Sequence, residues 1–375
     1  MNRHTVAHVD LAALAHNARA IRAYLAARRG AGAPALAGVV KADAYGHGAV
    51  HAARTLVAAG ASLLACADID EGLELRGAGL SVPILVLGPF SLGDLSGVFE
   101  GRLTPTISSP TAARRLQDAA ARRGTRLGYH LGIDTGMLRL GLRHDNLSRT
   151  VPEVLAAPNL VLEGVYTHFA TADVPGDALF LHQCRNFESA RRTLAGLGVH
   201  GGMTHAANSG ALLAEPATWF DLVRPGLLMY GVTPGAFTGR IDVRPVMSVR
   251  SRVVAVKGVR VGETIGYGGR FVARRPTTMA IVPAGYADGM DRRLEGRGAV
   301  LLRGRRVPIV GAVSMDVLAL DVTGLPVEPG DEVVFTGRQG DDAITVGEVA
   351  EWVGTIPYEL LCRVGNRVER IYSAS

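Results

Sequence analysis

Lysine is rare in this chain. Of 40 basic residues only Lys41 and Lys257 are lysines, and the other 38 are arginines. Lys41 follows the apolar run Leu36 to Val40 in Val39-Val40-Lys41-Ala42-Asp43-Ala44-Tyr45-Gly46-His47-Gly48, which reads as a buried strand that delivers an amine at its end and then turns through two glycines. A guanidinium stays protonated and cannot act as a nucleophile, whereas an amine desolvated beside an apolar strand can. A lysine snorkelling from a strand end would look the same. His168 in Thr167-His168-Phe169, taken as an isolated residue at a strand end, reads as a satisfied core histidine. Arg224 in Arg224-Pro225-Gly226 is either a fixed cation at a site or part of a strand-ending turn. Asn208-Ser209-Gly210 precedes Ala211-Leu212-Leu213, so it is either a plain turn or the start of a helix whose amides point at a phosphate.

The elements that must position these residues follow a repeating pattern up to about residue 240. Short apolar runs, ending near Lys41, Ala67, Leu87, Ile107, Ile133, His168, Ala207 and Arg224, alternate with amphipathic stretches such as Thr111 to Arg123 and Asp177 to Leu197. Counted as eight βα units, a count that owes something to the family resemblance given below, they suggest an α/β fold closed as a (β/α)8 barrel, in which chemistry belongs at the C-terminal ends of the strands. Lys41, Arg139, His168, Asn208, Ser209 and Arg224 all fall there. After about Val243 the pattern turns to strand-length segments punctuated by Gly and Pro: Val246 to Val256, Thr278 to Val282, Val307 to Val313, Val317 to Val322 and Glu332 to Phe335. Only Thr345 to Val353 reads as helical there. The expected division is a barrel over 1–243 and a mainly antiparallel β-domain over 244–375.

Composition narrows the function classes. With 375 residues and 48% hydrophobic content the chain can fill two cores. It lacks an apolar run of membrane-spanning length, which argues against a membrane protein. The net charge of +6 is spread over many helices rather than gathered in one stripe, which argues against nucleic-acid binding. Cys66, Cys184 and Cys362 are scattered, with no Cys-x-x-Cys, so the expectation is a reducing, cytoplasmic setting and no metal cluster. The Arg-rich, acid-poor first thirty residues look superficially like a transit peptide. Leu11, Leu14, Ala18, Ile21 and Leu25 recur at helical spacing, and an amphipathic helix of the fold is expected instead.

The segment Val40-Lys41-Ala42-Asp43-Ala44-Tyr45-Gly46-His47-Gly48 resembles the pyridoxal 5'-phosphate (PLP) attachment segment of the alanine racemase family, and further matches run to the C-terminus. The resemblance implies a PLP-dependent isomerase that interconverts L- and D-alanine for peptidoglycan by a two-base mechanism. Lys41 would carry the cofactor and act on one face of the substrate, and Tyr267, in Gly266-Tyr267-Gly268, on the other. A tyrosine hydroxyl, ordinarily titrating near about 10, needs neighbouring cations or hydrogen bonds to act near neutral pH. His168 would link that tyrosine to an arginine. Arg224, oriented by His205, would contact the pyridine nitrogen and, being permanently charged, leave it unprotonated.

The resemblance also implies that Tyr45, Asn208, Ser209, Gly226, Leu227 and Tyr358 contact or support the phosphate. Arg139, in Asp134-Thr135-Gly136-Met137-Leu138-Arg139, would lie near the cofactor's phenolic oxygen and the substrate carboxylate. Met315 and Asp316 would meet the carboxylate, and Tyr286 would line the substrate entrance. Tyr267, Tyr286 and Met315 would come from the partner in a head-to-tail homodimer. Three positions depart from the family pattern. Gly132 stands where many members have a carbamylated lysine, so a buried Arg139 would need another partner, expected to be a small anion such as chloride. Asp291 and Glu369 stand where proline is common. Alternatives on the same fold are a racemase of another small amino acid such as serine, or a non-catalytic PLP-binding homeostasis protein. The second domain, with Tyr267, argues against the latter. A related decarboxylase is disfavoured because the β-domain has no Cys-Glu-Ser-like motif.

Overall fold

A computed structural model describes residues 4–373. They divide into two compact units. One comprises residues 14–44 and 49–243, and the other the described residues within 4–13, 45–48 and 244–373.

The first unit is an eight-stranded parallel barrel. Ala35–Val39, Leu63–Cys66, Ile84–Val86, Thr104–Ile107, Leu127–Asp134, Leu160–Tyr166, Met203–His205 and Leu222–Val223 pair in that order. The eighth strand returns to the first through Leu222 opposite Ala35, so no edge is left open. The strands are short and apolar because helices cover them: all four residues of Leu63–Cys66 are buried. Each strand ends within two residues of its expected position. Pro110–Arg122 and Ala178–Gly196 fill the two expected amphipathic stretches, and Asp177 caps the second through its carboxylate. Leu11–Arg29 is a helix with Leu14, Ala18, Ile21 and Leu25 buried.

The second unit is built on a sheet in the order Ala255–Val259, Thr277–Val282, Leu318–Asp321, Arg305–Val310, Ala299–Leu302, Glu332–Gln339, Met247–Arg252, Val6–Asp10 and Glu369–Ser373. All neighbours are antiparallel except the last pair. The N-terminal strand Val6–Asp10 therefore belongs to this sheet, where Ala7 and Val9 alternate inward, although the sequence reading put residues 1–243 in the barrel. The run from Val246 to Val256 is two strands rather than one, broken after Arg252. Ala299–Leu302 and Glu369–Ser373 are strands the pattern did not suggest. The helix expected from Thr345 is Val346–Val353, with the Thr345 hydroxyl accepting the Glu348 amide at 3.0 Å. A second short helix, Pro357–Cys362, was not expected; its proline at the first turn was the available signal.

Candidate active site

Lys41 leaves the first barrel strand in a way that glycine counting does not reveal. The turn after it is a left-handed helix: Ala42, Asp43, Ala44 and Tyr45 have φ of 53°, 53°, 54° and 55°, before Gly46 at 79°. None of the four is glycine, and each L-residue so placed costs about 1–2 kcal/mol. Strain of this size persists only where surrounding bonds over-determine it, and it concentrates at functional sites. The Ala44 amide donates to the Val40 carbonyl at 2.8 Å and the Ala49 amide to Asp43 Oδ1 at 2.6 Å. Glu71 accepts the Ala42 amide at 2.7 Å. Beyond it, an added Cβ on Gly46 would lie 2.4 Å from the Leu361 carbonyl oxygen, so that position also needs its glycine for space.

At the eighth strand end Arg224 is buried and has neutral partners. It donates through Nη1 to His205 Nδ1 at 2.5 Å and through Nη2 to the Thr167 carbonyl at 2.8 Å. The guanidinium can only donate, so His205 Nδ1 must be a lone pair and the proton sits on Nε2. That proton is donated to His130 Nδ1 at 2.8 Å, which places the His130 proton on its own Nε2. Burial and then the Arg224 charge push His130 down to about 4 and His205 well below the usual imidazole range, so both rings are neutral. Burial also lowers Arg224, to about 10, which leaves it charged at neutral pH. Tyr166 stacks on His205 with centroids 4.9 Å apart and lies 5.0 Å from the Arg224 Cζ. His130 and Tyr166 were not singled out in the sequence. A histidine inside the apolar run Leu127–Asp134 was the signal available.

His168, after the sixth strand, is where the barrel's cations converge. Its pKa is held well down by burial and then by the charges of Arg224, Arg139 and Lys41. Its carbonyl accepts from Gln183, a fully buried side chain that also donates to Thr135 Oγ1 at 3.2 Å. Gln183 was missed as well. Arg139 is exposed in this chain, so burial does not oblige it to have a substitute partner as expected. The loop before Arg139 is shaped by Asp134 Oδ1, which accepts the Gly136 and Leu138 amides, each at 3.0 Å. A Cβ on Gly132 would point at Thr106 Cγ2, 3.2 Å away, and at the Tyr166 ring, 3.6 Å away.

After the seventh strand, Asn208 Oδ1 caps the helix Ser209–Ala214 through the Ala211 amide at 3.0 Å. Helix geometry leaves the Ser209 and Gly210 amides without intrahelical acceptors. Buried Ser209 does not present its hydroxyl as an extra donor alone: Oγ accepts the Gly226 and Leu228 amides at 2.9 and 3.3 Å. It thereby ties the loop after the eighth strand, including Leu227, to the loop after the seventh. The Gly226 amide is thus already used within the protein.

The remaining expected site residues lie in the second unit. Tyr267 stands between Gly266 and Gly268, at φ of 75° and 74°, and is 77% exposed. Tyr286 and Met315 are also exposed, and their loops are joined: the Tyr286 amide donates to the Ser314 carbonyl at 3.0 Å and the Ala287 amide to the Met315 carbonyl at 3.2 Å. The clamp is Asp288, fully buried, whose oxygens take the Arg367 fork at 2.8 and 3.0 Å. Arg367 also donates to the Met315 carbonyl at 3.0 Å and pairs with Asp316 at 2.8 Å. Asp291, read as loop variation, is instead held low, to about 2, chiefly by its hydrogen bond with Arg293. Tyr45 and Tyr358 meet edge to face, 5.8 Å between centroids. Among the described residues no group of His, Cys, Asp and Glu is placed to hold a metal, and no helix is long and apolar enough to cross a membrane.

The family profile described as alanine racemase, N-terminal domain, matches residues 9–234, and that for alanine racemase, C-terminal domain, matches residues 246–372. The chain belongs to the alanine racemase family. An alanine racemase of Carboxydothermus hydrogenoformans is 41% identical over 370 residues, 98% of each chain. The crystal structure of alanine racemase from Bacillus anthracis with bound L-Ala-P superposes with a TM-score of 0.92 at 36% identity, covering all of this chain and 96% of that one. Alanine racemase from D-cycloserine-producing Streptomyces lavendulae gives 0.93 at 35%, covering 100% and 98%. Membership of the alanine racemases rests on both units, since the two profiles and both structural matches span them.

Proposed function

We propose that this chain is a PLP-dependent isomerase interconverting L- and D-alanine, with Lys41 and Tyr267 as its two acid–base groups. The observation that carries the reading is the placement of Lys41, Arg139, His168 and Arg224 just after the first, fifth, sixth and eighth barrel strands of a chain whose two units match the family. The residues fit the cofactor. Lys41 is partly exposed at the strand end, the Ser209 and Gly210 amides form an anion-binding corner, and Arg224 is a cation fixed by neutral partners. When bound, PLP supplies an electron sink for the pair left on the substrate Cα after proton loss.

Lys41 takes or returns the Cα proton on one face, and Tyr267 does so on the other. His168, neutral because of its surroundings, can exchange a hydrogen bond with the Tyr267 hydroxyl without adding charge. Arg224, held by His205 and the Thr167 carbonyl, would meet the cofactor's pyridine nitrogen as a donor that keeps its own proton, which would leave that nitrogen unprotonated. Arg139 and the Met315–Asp316 loop hold the carboxylate. Tyr45 and Tyr358, whose rings meet edge to face, would contact the phosphate as the family resemblance implies. The exposure of Tyr267, Tyr286 and Met315 supports a homodimer in which they serve the second copy's barrel. The D-alanine formed would supply peptidoglycan in the cytoplasm.

The test is D/L interconversion over a panel of small amino acids with PLP-loaded protein. Alanine is expected to turn over fastest. Faster serine turnover would move the assignment to a serine racemase, and PLP uptake without any racemisation would overturn it in favour of a PLP carrier.

A further inference from the structure

The left-handed turn after Lys41 needs a holder, and one side chain from outside the turn spans the gap. Glu71 sits in the first turn of the helix Ile69–Gly77, which begins at the Asp68 cap after the second barrel strand. Its Oε1 accepts the Ala42 amide and its Oε2 accepts the Ala67 amide, each at 2.7 Å. An ionised carboxylate is acceptor-only, with two oxygens, and is suited to taking two amides at once. The two amides belong to different strand ends. Ala67 follows Leu63–Cys66, and Ala42 follows Lys41, which opens the turn after Ala35–Val39.

The geometry of the Ala42 bond matters more than its strength. The Ala42 N–H lies in the peptide plane that starts at the Lys41 Cα, and a peptide plane is rigid. Fixing the direction of that N–H fixes ψ of Lys41. Without it the plane could rotate and let Ala42 to Tyr45 relax out of the left-handed region, which L-residues avoid. Glu71 also influences this strand end electrostatically: its charge is the second cause, after burial, of the Cys66 thiol being pushed up to about 12.

We propose that Glu71 is a positioning residue for Lys41, bridging the first two barrel strand ends so that ψ of Lys41, and with it the orientation of the Lys41 side chain relative to the left-handed turn, is held at one value. This rests on the reading of Lys41 as the cofactor-bearing lysine. It assigns Glu71 no contact with substrate or cofactor.

The variants are Glu71→Gln, which has one acceptor and places an NH2 against the second amide, and Glu71→Asp, which is too short to reach both. Backbone hydrogen exchange and PLP titration are read on the full-length protein, alongside thermal melting and steady-state kinetics. Glu71→Gln is expected to exchange the amides of residues 42–45 about tenfold faster and to bind PLP about tenfold more weakly, as loss of one charge-assisted bond implies. The kcat for alanine should fall by about 10²-fold, with KM changed little, because a misdirected group loses near-attack geometry rather than substrate binding. Exchange in residues 244–373 should be unchanged.

A variant that melts earlier but keeps wild-type PLP affinity and wild-type kcat would make Glu71 merely structural and overturn the proposal. Unaltered exchange at residues 42–45 would overturn it too. If the wild type binds PLP but racemises nothing, the functional reading falls, while exchange and PLP titration still judge Glu71.

Discussion

Removing His130 tests the tautomer chain behind Arg224. In His130→Ala the His205 Nε2–H loses its acceptor, now 2.8 Å away, in a fully buried position. His205 cannot escape by moving its proton to Nδ1, because that atom faces the Arg224 donor at 2.5 Å. An orphaned buried donor costs about 1–3 kcal/mol. The truncated imidazole also leaves unfilled volume, adding about 2 kcal/mol. The sum is about 3–5 kcal/mol. His130→Gln, whose Oε1 can accept the same proton, should recover about half. The check is the urea midpoint at constant m value, together with 15N chemical shifts of His205, which should report an Nε2–H tautomer in the wild type. A loss below about 1 kcal/mol in His130→Ala, or a wild-type His205 protonated on Nδ1, would refute the reasoning. Gly164 is part of the same design: a Cβ there would lie 2.7 Å from the His130 ring.

Acid should destabilise the barrel. His130, His168 and His205 all have folded pKa values below the ordinary imidazole value, so between that value and the folded one the unfolded chain binds more protons. Stability is therefore complete above about pH 6.5 and falls with decreasing pH by about 1.4 kcal/mol per unit for each ring, which urea titrations at several pH values between about 7.5 and 5 would measure. Tyr267→Phe should leave melting and PLP uptake unchanged, since the side chain is 77% exposed, while racemisation falls about 10²- to 10⁴-fold. Asp288→Asn halves the Arg367 fork and should cost about 2–4 kcal/mol and raise KM for alanine, with PLP titration as in the wild type.

The sequence made the positions of Lys41, Asn208, Ser209 and Arg224 legible because strand ends are marked by apolar runs that stop at polar or glycine-containing motifs. The barrel was legible for the same reason. The left-handed turn was not: Ala42, Ala44 and Tyr45 carry no turn signal, and one of the bonds that hold it comes from Glu71, whose partner no local pattern specifies. His130 and Gln183 are polar residues within or facing an apolar layer, and their roles depend on rings and carbonyls from distant strands. The strand Val6–Asp10 alternates like any half-buried strand, and nothing local says that its partners are Met247–Arg252 and Glu369–Ser373. Arg139 was expected to be buried. Its loop is instead set by Asp134 and the left-handed Leu138, which leave it at the surface of this chain.

The most direct test of the account is reductive fixation of the cofactor. Lys41 lies two residues past the end of the first barrel strand, whereas Lys257 lies exposed in the second unit's strand Ala255–Val259, and the chain has no other lysine to confuse the result. The protein is loaded with PLP, treated with borohydride, digested and sequenced by mass spectrometry. One stoichiometric pyridoxyl adduct is expected, on the peptide containing Lys41; an adduct on Lys257 instead, or none on a protein that has taken up PLP, would contradict the assignment of Lys41 as the cofactor-bearing residue.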